Sequence, residues 1–213
     1  MIPISHVVFD IGGVVIRLNH GVVRSRFAER LGIPVEDLNE LISTYRIDGD
    51  AQSLAARFRI GTIDADTYLE AYLRRFNNQI SKRELIDFLC SELGEPIPET
   101  LSLLDDLRGK VNVSCFSNSQ AIHWSYLIGD YPVMKEFNPA MASHLAGCAK
   151  PDPQTYQYIF NQLNAAAEDC LLIDDSKENV ASAKAAGMAS IWYQSPQQLL
   201  TDLNRFRFVK ERG

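Results

Sequence analysis

The chain has 213 residues, 46% apolar and 23% charged, and at this length roughly 70% of the unfolded surface is buried, enough for one sizeable core and a smaller unit without disulfides. Its 21 basic and 27 acidic residues give a net charge of −6, spread along the sequence, which excludes an electrostatic footprint for nucleic acid and disfavours an anionic membrane surface. The longest uncharged apolar run, over residues 11–16, falls far short of the roughly 20 residues of a membrane span.

Residues 1–6 lack a basic segment and Asp10 soon interrupts the apolar stretch behind them, so no secretory signal is expected. Residues 6–10 are a short apolar run closed by Asp10 and then Gly12-Gly13, which reads as a buried strand ending in a tight turn. From residue 17 to about 95 no convincing strand follows. Segments 22–31, 34–45, 51–58, 65–76 and 82–93 carry apolar residues at helical spacing, with breaks at Gly32, Gly49, Gly61 and Asn77-Asn78. Tyr68, Tyr72 and Phe76 share one helix face and are expected to pack.

Beyond the insertion, residues 97–108 read as a helix stopped by Gly109. Residues 111–116 read as a strand closed by Ser117-Asn118-Ser119, with His123 and Trp124 on a following helix, where packing is the expected role. A helix over 156–163 follows Pro153, and a strand over 170–173 is closed by Asp174-Asp175-Ser176. A helix over 176–186 ends at Gly187, and a strand over 189–193 ends at Ser195-Pro196. Residues 205–213 are expected to fray. Cys90, Cys115, Cys148 and Cys170 are 22 to 33 residues apart without a CxxC pair, which fits reduced thiols in a cytoplasm. Cys115, inside a strand, should be inert.

Strands without alternation are covered on both faces, as in a parallel sheet with helices between the strands. The expected fold class is therefore α/β, with a doubly wound, Rossmann-like core from residues 1–16 and 97–213 and an all-helical insertion over 17–96. Such sheets bind ligands at the carboxyl ends of their strands, so an insertion leaving the first strand there is a natural lid. The same edge receives Asp10, Ser117-Asn118 and Asp174-Asp175, with Lys150 ahead of Pro151-Asp152-Pro153. Three converging carboxylates repel one another unless a cation joins them, and Mg²⁺ suits an all-oxygen site that also meets a phosphate.

These four motifs, in this order, resemble those of the haloacid dehalogenase-like (HAD) superfamily of hydrolases: Asp10-Ile11-Gly12-Gly13-Val14, Ser117-Asn118, Lys150-Pro151-Asp152-Pro153 with Tyr156 downstream, and Asp174-Asp175-Ser176. The insertion corresponds to the family's helical C1 cap. Within it, Gly61-Thr62-Ile63-Asp64 with Tyr68 resembles a stretch of a subgroup that includes sugar-1-phosphate phosphatases and is similar to the phosphatase domain of soluble epoxide hydrolases. The resemblance implies an aspartyl-phosphate at Asp10 and Mg²⁺ held by Asp10, the Gly12 carbonyl, Asp174 and Asp175, with Asp175 the favoured direct ligand. It further implies phosphoryl oxygens held by Ser117, Asn118 and turn amides up to Gly13, and Lys150 orienting Asp10. The expected substrate is a small phosphorylated metabolite, a sugar phosphate being favoured, and the protein is expected to be a monomer or homodimer.

One position departs. Phosphatases of this family usually carry a second Asp two residues after the nucleophile as general acid and base, and here Gly12 stands there. General acid–base catalysis contributes about 10²- to 10⁴-fold. Three readings follow: a phosphatase whose leaving group or another residue meets the need, which the subgroup's own glycine favours; a weak or inactive protein that binds a phosphorylated ligand or partner; or a different reaction at Asp10. A metal-independent dehalogenase fits poorly, because such enzymes lack the paired acids. A phosphonatase-like imine would need a cap lysine, and the insertion has one, Lys82, in an exposed helix start. His20 is a candidate replacement for the missing acid, with a noncatalytic loop histidine the favoured reading.

Overall fold

The computed structural model describes residues 4–47 and 50–206. Five strands, β1 (His6–Phe9), β4 (Asn112–Ser117), β5 (Ala140–Ala142), β6 (Cys170–Asp174) and β7 (Ala189–Trp192), form one sheet in the order β5-β4-β1-β6-β7. Every neighbouring pair is parallel, and β1 lies centrally, with Phe9 level with Cys115 on one side and Ile173 on the other.

Uninterrupted apolar runs mark strands buried on both faces, and the packing shows why. Val7 and Phe9 enter one apolar cluster with Leu171 and Ile173, whereas Val8 enters another with Leu172 and Phe116. The first cluster is covered by α6 (Pro98–Leu107), α7 (Ala121–Asp130) and α11 (Pro196–Arg205) through Leu104, Leu127 and Leu203. The second is covered by α9 (Pro153–Leu163) and α10 (Lys177–Ala185) through Ile159 and Ala183. This is the expected doubly wound core, three layers deep. A short helix, α8 (Ser143–Ala146), follows β5.

Between β1 and β4 the chain forms α1 (His20–Leu31), α2 (Val35–Thr44), α3 (Leu54–Arg59), α4 (Ala65–Arg75) and α5 (Lys82–Ser91). Ser53 and Asp64 cap α3 and α4, and Ser81 with Glu84 makes a capping box on α5, so these helix starts are written locally. The helices bury their own cluster, in which Phe27 stacks on Phe88 with centroids 3.9 Å apart, and Tyr68, Tyr72 and Phe76 lie in it as their spacing predicts.

Two strands at the ends of the insertion correct the expectation that residues 17–95 hold none. β2 (Ile16–Leu18) and β3 (Leu93–Pro96) pair antiparallel, clasping the stem through which the insertion leaves and rejoins the core. They are three and four residues long, and the Gly and Pro of β3 read as breakers rather than as a strand. The same brevity hid β5. The break expected at Gly49 lies outside the described residues. So does most of the fraying expected over 205–213, although Arg205 closes α11 and pairs with Asp202 at 2.8 Å.

The insertion also touches the sheet's far side. Ser143 Oγ donates to the Arg59 carbonyl at 2.7 Å. Gly61, with φ of 72°, sits where an added Cβ would stand 2.2 Å from the His144 carbonyl oxygen. Glycine is therefore required there by backbone conformation and by close approach together.

Candidate active site

Three parallel strands ending at one edge bring Asp10, Ser117 and Asp174 together. The Asp10 amide donates to the Ile173 carbonyl at 2.9 Å, which sets Asp10 beside the end of β6. Lys150 enters from the loop before α9, its side chain fully buried, and places its ammonium 3.1 Å from Asp10 Oδ1 and 2.6 Å from Asp174 Oδ2. The same ammonium donates to the Phe116 carbonyl at 2.9 Å. Carboxylate oxygens of Asp10, Asp174 and Asp175 all lie within 4.8 Å of one another.

The electrostatics follow from two or three acids and one base with little water. Burial pushes the Asp10 carboxyl up to about 7, against the lowering pull of Lys150 and with further upward push from Asp174 and Asp175. Asp175 is raised by burial and by Asp174. Burial alone would lower the Lys150 ammonium, but Asp10 and Asp174 outweigh it and hold the group above the usual lysine range.

The acids differ in what they have left to offer. Asp174 accepts from Lys150, from the Ser176 amide at 2.9 Å and from Asn179 Nδ2 at 2.9 Å. Asp175, beside it, is exposed. Room for it comes from Gly13, where φ is 80° and an added Cβ would lie 2.3 Å from Asp175 Oδ2. Gly13 is therefore present for space and for the turn. Its amide donates to the Ile16 carbonyl at 2.8 Å.

The Asn118 side chain is engaged within the protein. Its Nδ2 donates to the Lys150 carbonyl at 2.7 Å and its Oδ1 accepts from the Lys150 amide at 2.9 Å. That reciprocal pair fixes the loop that aims the ammonium, so the carboxamide engages Lys150 rather than standing free for a phosphoryl group. Ser117 is buried at the end of β4 and lines the cavity.

A cavity of about 340 Å³ opens from Asp10, Gly12, Ser117 and Asp175 toward the insertion, where Arg24, Phe58, Tyr68 and Phe88 form its wall. Residues that sequence reasoning assigned to packing or missed also line it. His123 lies on its wall, with Nε2 2.8 Å from the Leu89 carbonyl, and burial lowers its pKa against the raising effect of Glu92. Glu92 is almost wholly buried, with Oε1 2.6 Å from Arg24 Nε and 3.0 Å from His20 Nδ1. Burial would raise its pKa, but His20 and Arg24 together hold it below the usual range. His20 is the first residue of α1, not part of a free loop. Nothing local in the sequence marked Glu92, because it meets His20 and Arg24 only when the stem closes.

The donor set fits a hard divalent cation: carboxylate oxygens alone, mutually close, two of them raised by burial. Lys150 supplies one positive charge against three acids and reaches two of them.

A sesquiterpene phosphatase of Aspergillus oryzae is 32% identical over 97 residues, 45% of this chain and 50% of that protein. A phosphorylated carbohydrates phosphatase of Thermotoga maritima is 25% identical over 190 residues, 87% of this chain and 83% of that protein. The chain covers between 21% and 50% of the length of two of the curated relatives it matches. Among solved structures, a HAD family enzyme of Bacteroides thetaiotaomicron in complex with magnesium and inorganic phosphate superposes with a TM-score of 0.78 at 21% identity, covering 90% of this chain and 94% of that one, which speaks for the fold. Residues 4–187 match the family model for haloacid dehalogenase-like hydrolases, and the chain belongs to that family of hydrolases.

Proposed function

We propose that the protein is a Mg²⁺-dependent phosphoric monoester hydrolase acting on a small phosphorylated metabolite, a sugar phosphate being favoured, through an aspartyl-phosphate at Asp10. The observation that carries the reading is the cluster in which Asp10, Asp174 and Asp175 meet, with the buried Lys150 ammonium against the first two. Phosphatases among the relatives support the reaction class.

In this reading Asp10 Oδ attacks phosphorus in line, and water later cleaves the acyl phosphate, so one difficult displacement becomes two easier ones. Lys150 holds the attacking carboxylate in its orientation and screens the approach of a dianion. Ser117 hydrogen-bonds a phosphoryl oxygen from the end of β4, and Asn118 keeps Lys150 in place. Asp10, Asp175 and the Gly12 carbonyl would hold Mg²⁺. Asp174 sits behind them as a fixed charge, because its oxygens already accept three donors. The ion would offset charge between nucleophile and phosphate. The insertion covers the site and restricts it to ligands that fit beneath it. Its wall mixes aromatic faces, Phe58 and Tyr68, with the polar groups of Arg24 and Gln120, a lining suited to a sugar. Four free cysteines support a reducing compartment such as the cytoplasm.

The test is phosphate release from small phosphomonoesters, weighted toward hexose-1-phosphates, with and without Mg²⁺. Metal-dependent turnover is expected in the wild type and none above background in Asp10→Asn. Mg²⁺ binding without turnover of any ester would overturn the enzyme reading in favour of a binder of phosphorylated ligands.

A further inference from the structure

Gly12 offers no side chain for proton transfer, and the space beside it is already taken. An added Cβ would lie 3.3 Å from both methyl carbons of Leu18. A phosphatase built this way needs its acid and base from elsewhere on the same cavity wall.

Among the described residues two histidines line that cavity, His20 and His123, and both approach the buried carboxylate of Glu92. They are not equivalent. His123 Nε2 is committed to the Leu89 carbonyl at 2.8 Å and lies 3.9 Å from Glu92 Oε2. His20 Nδ1, itself shielded from solvent, lies 3.0 Å from Glu92 Oε1, an ion-pair contact outside hydrogen-bond geometry, while its side chain stays 43% exposed.

A carboxylate beside one imidazole nitrogen favours the protonated ring by charge and leaves the other nitrogen to exchange protons. Glu92 is itself held, by Arg24 Nε at 2.6 Å, and the turn before α1 is pinned to it by the Asn19 amide donating to the Glu92 carbonyl at 2.9 Å. Tyr68, on α4, also faces this group.

We infer that His20, oriented by Glu92, is the catalytic acid and base that serves in place of the side chain missing at Gly12. This rests on the phosphatase reading above. As Asp10 forms its bond to phosphorus and the ester P–O bond breaks, the leaving oxygen takes a proton from His20 Nε2. Neutral Nε2 then removes a proton from water, whose oxygen attacks phosphorus. The bond to Asp10 breaks, its electron pair returns to the carboxylate, and phosphate departs. One water is consumed and His20 ends protonated, as it began. Glu92 is a positioning residue.

The test compares kcat/KM for p-nitrophenyl phosphate, whose leaving oxygen needs no proton, with kcat/KM for the fastest aliphatic phosphomonoester of the panel. His20→Gln keeps a polar group beside the buried Glu92 carboxylate, and its melting temperature shows whether the variant is folded under the assay conditions. The expected result is a loss of about 10²-fold or more on the aliphatic ester, with a much smaller loss on the aryl ester and unchanged Mg²⁺ dependence. Equal losses on both, or none, would overturn the proposal, since a merely structural role does not sense the leaving group. Wild-type turnover of the aryl ester alone would also overturn it. No wild-type turnover of either would overturn the phosphatase reading and this proposal with it.

Discussion

Asp10, Asp174 and Lys150 form a set of two acids and one base in which the ammonium is fully buried and touches both carboxylates. Removing one member of such a set leaves charge without a partner, which typically costs about 3–5 kcal/mol. Lys150→Met is therefore expected to lose stability on that scale in urea unfolding at pH 8. At pH 5 the loss should shrink, because the abandoned carboxyls can take up protons. Equal losses at both values would contradict the pairing described here. A second prediction comes from Asp10 itself, raised from 3.8 to about 7, mainly by burial. A carboxyl that binds its proton more tightly when folded adds stability at low pH and loses that contribution as pH rises through 7. Metal binding competes with the same proton. The rise in melting temperature on adding Mg²⁺ should thus be small at pH 5.5 and larger at pH 8, and a rise independent of pH would count against Asp10 as a ligand.

Among the elements, those with strong local signals were the ones legible in the sequence. β1 and β6 are short, mainly apolar runs ended by polar residues, β4 keeps that pattern around Ser114, and the helices of the insertion are punctuated by caps such as Ser53, Asp64 and Ser81. β2, β3 and β5 are three or four residues long. They exist because partners are supplied from far along the chain, as when Ile16 pairs with Pro96. Gly61 belongs to the same scale. It read as a helix break, and in the fold it is also the place where the insertion meets the His144 carbonyl. Gly61→Ala is expected to prise the two apart, raising KM for a cap-contacted substrate several-fold while the protein stays folded. Ser143→Ala, which removes the hydrogen bond to the Arg59 carbonyl at 2.7 Å, should act in the same direction and cost about 0.5–1.5 kcal/mol of stability. An unchanged KM in both would show that this contact does not govern access.

Across the whole molecule, the reactive edge was legible because parallel strands must all end on one side. Sequence order alone then placed Asp10, Ser117, Lys150 and Asp174-Asp175 together. What the sequence hid was how those groups divide their work: Asn118 holding Lys150, Gly13 making room for Asp175, and Asn179 completing the set around Asp174. The cavity wall was hidden more completely, since His20, Glu92 and His123 come from α1, the stem and α7 and meet only once the insertion is seated. The relatives include proteins named for a sesquiterpene and for phosphorylated carbohydrates.

The central claim is that Asp10 becomes covalently phosphorylated. The most direct measurement is to quench the enzyme in acid during turnover with Mg²⁺ and map the phosphoryl group by peptide mass spectrometry. The account predicts one added phosphoryl group on the peptide carrying Asp10, absent in Asp10→Asn. Sustained turnover with a phosphoryl group mapped to any other residue would contradict it.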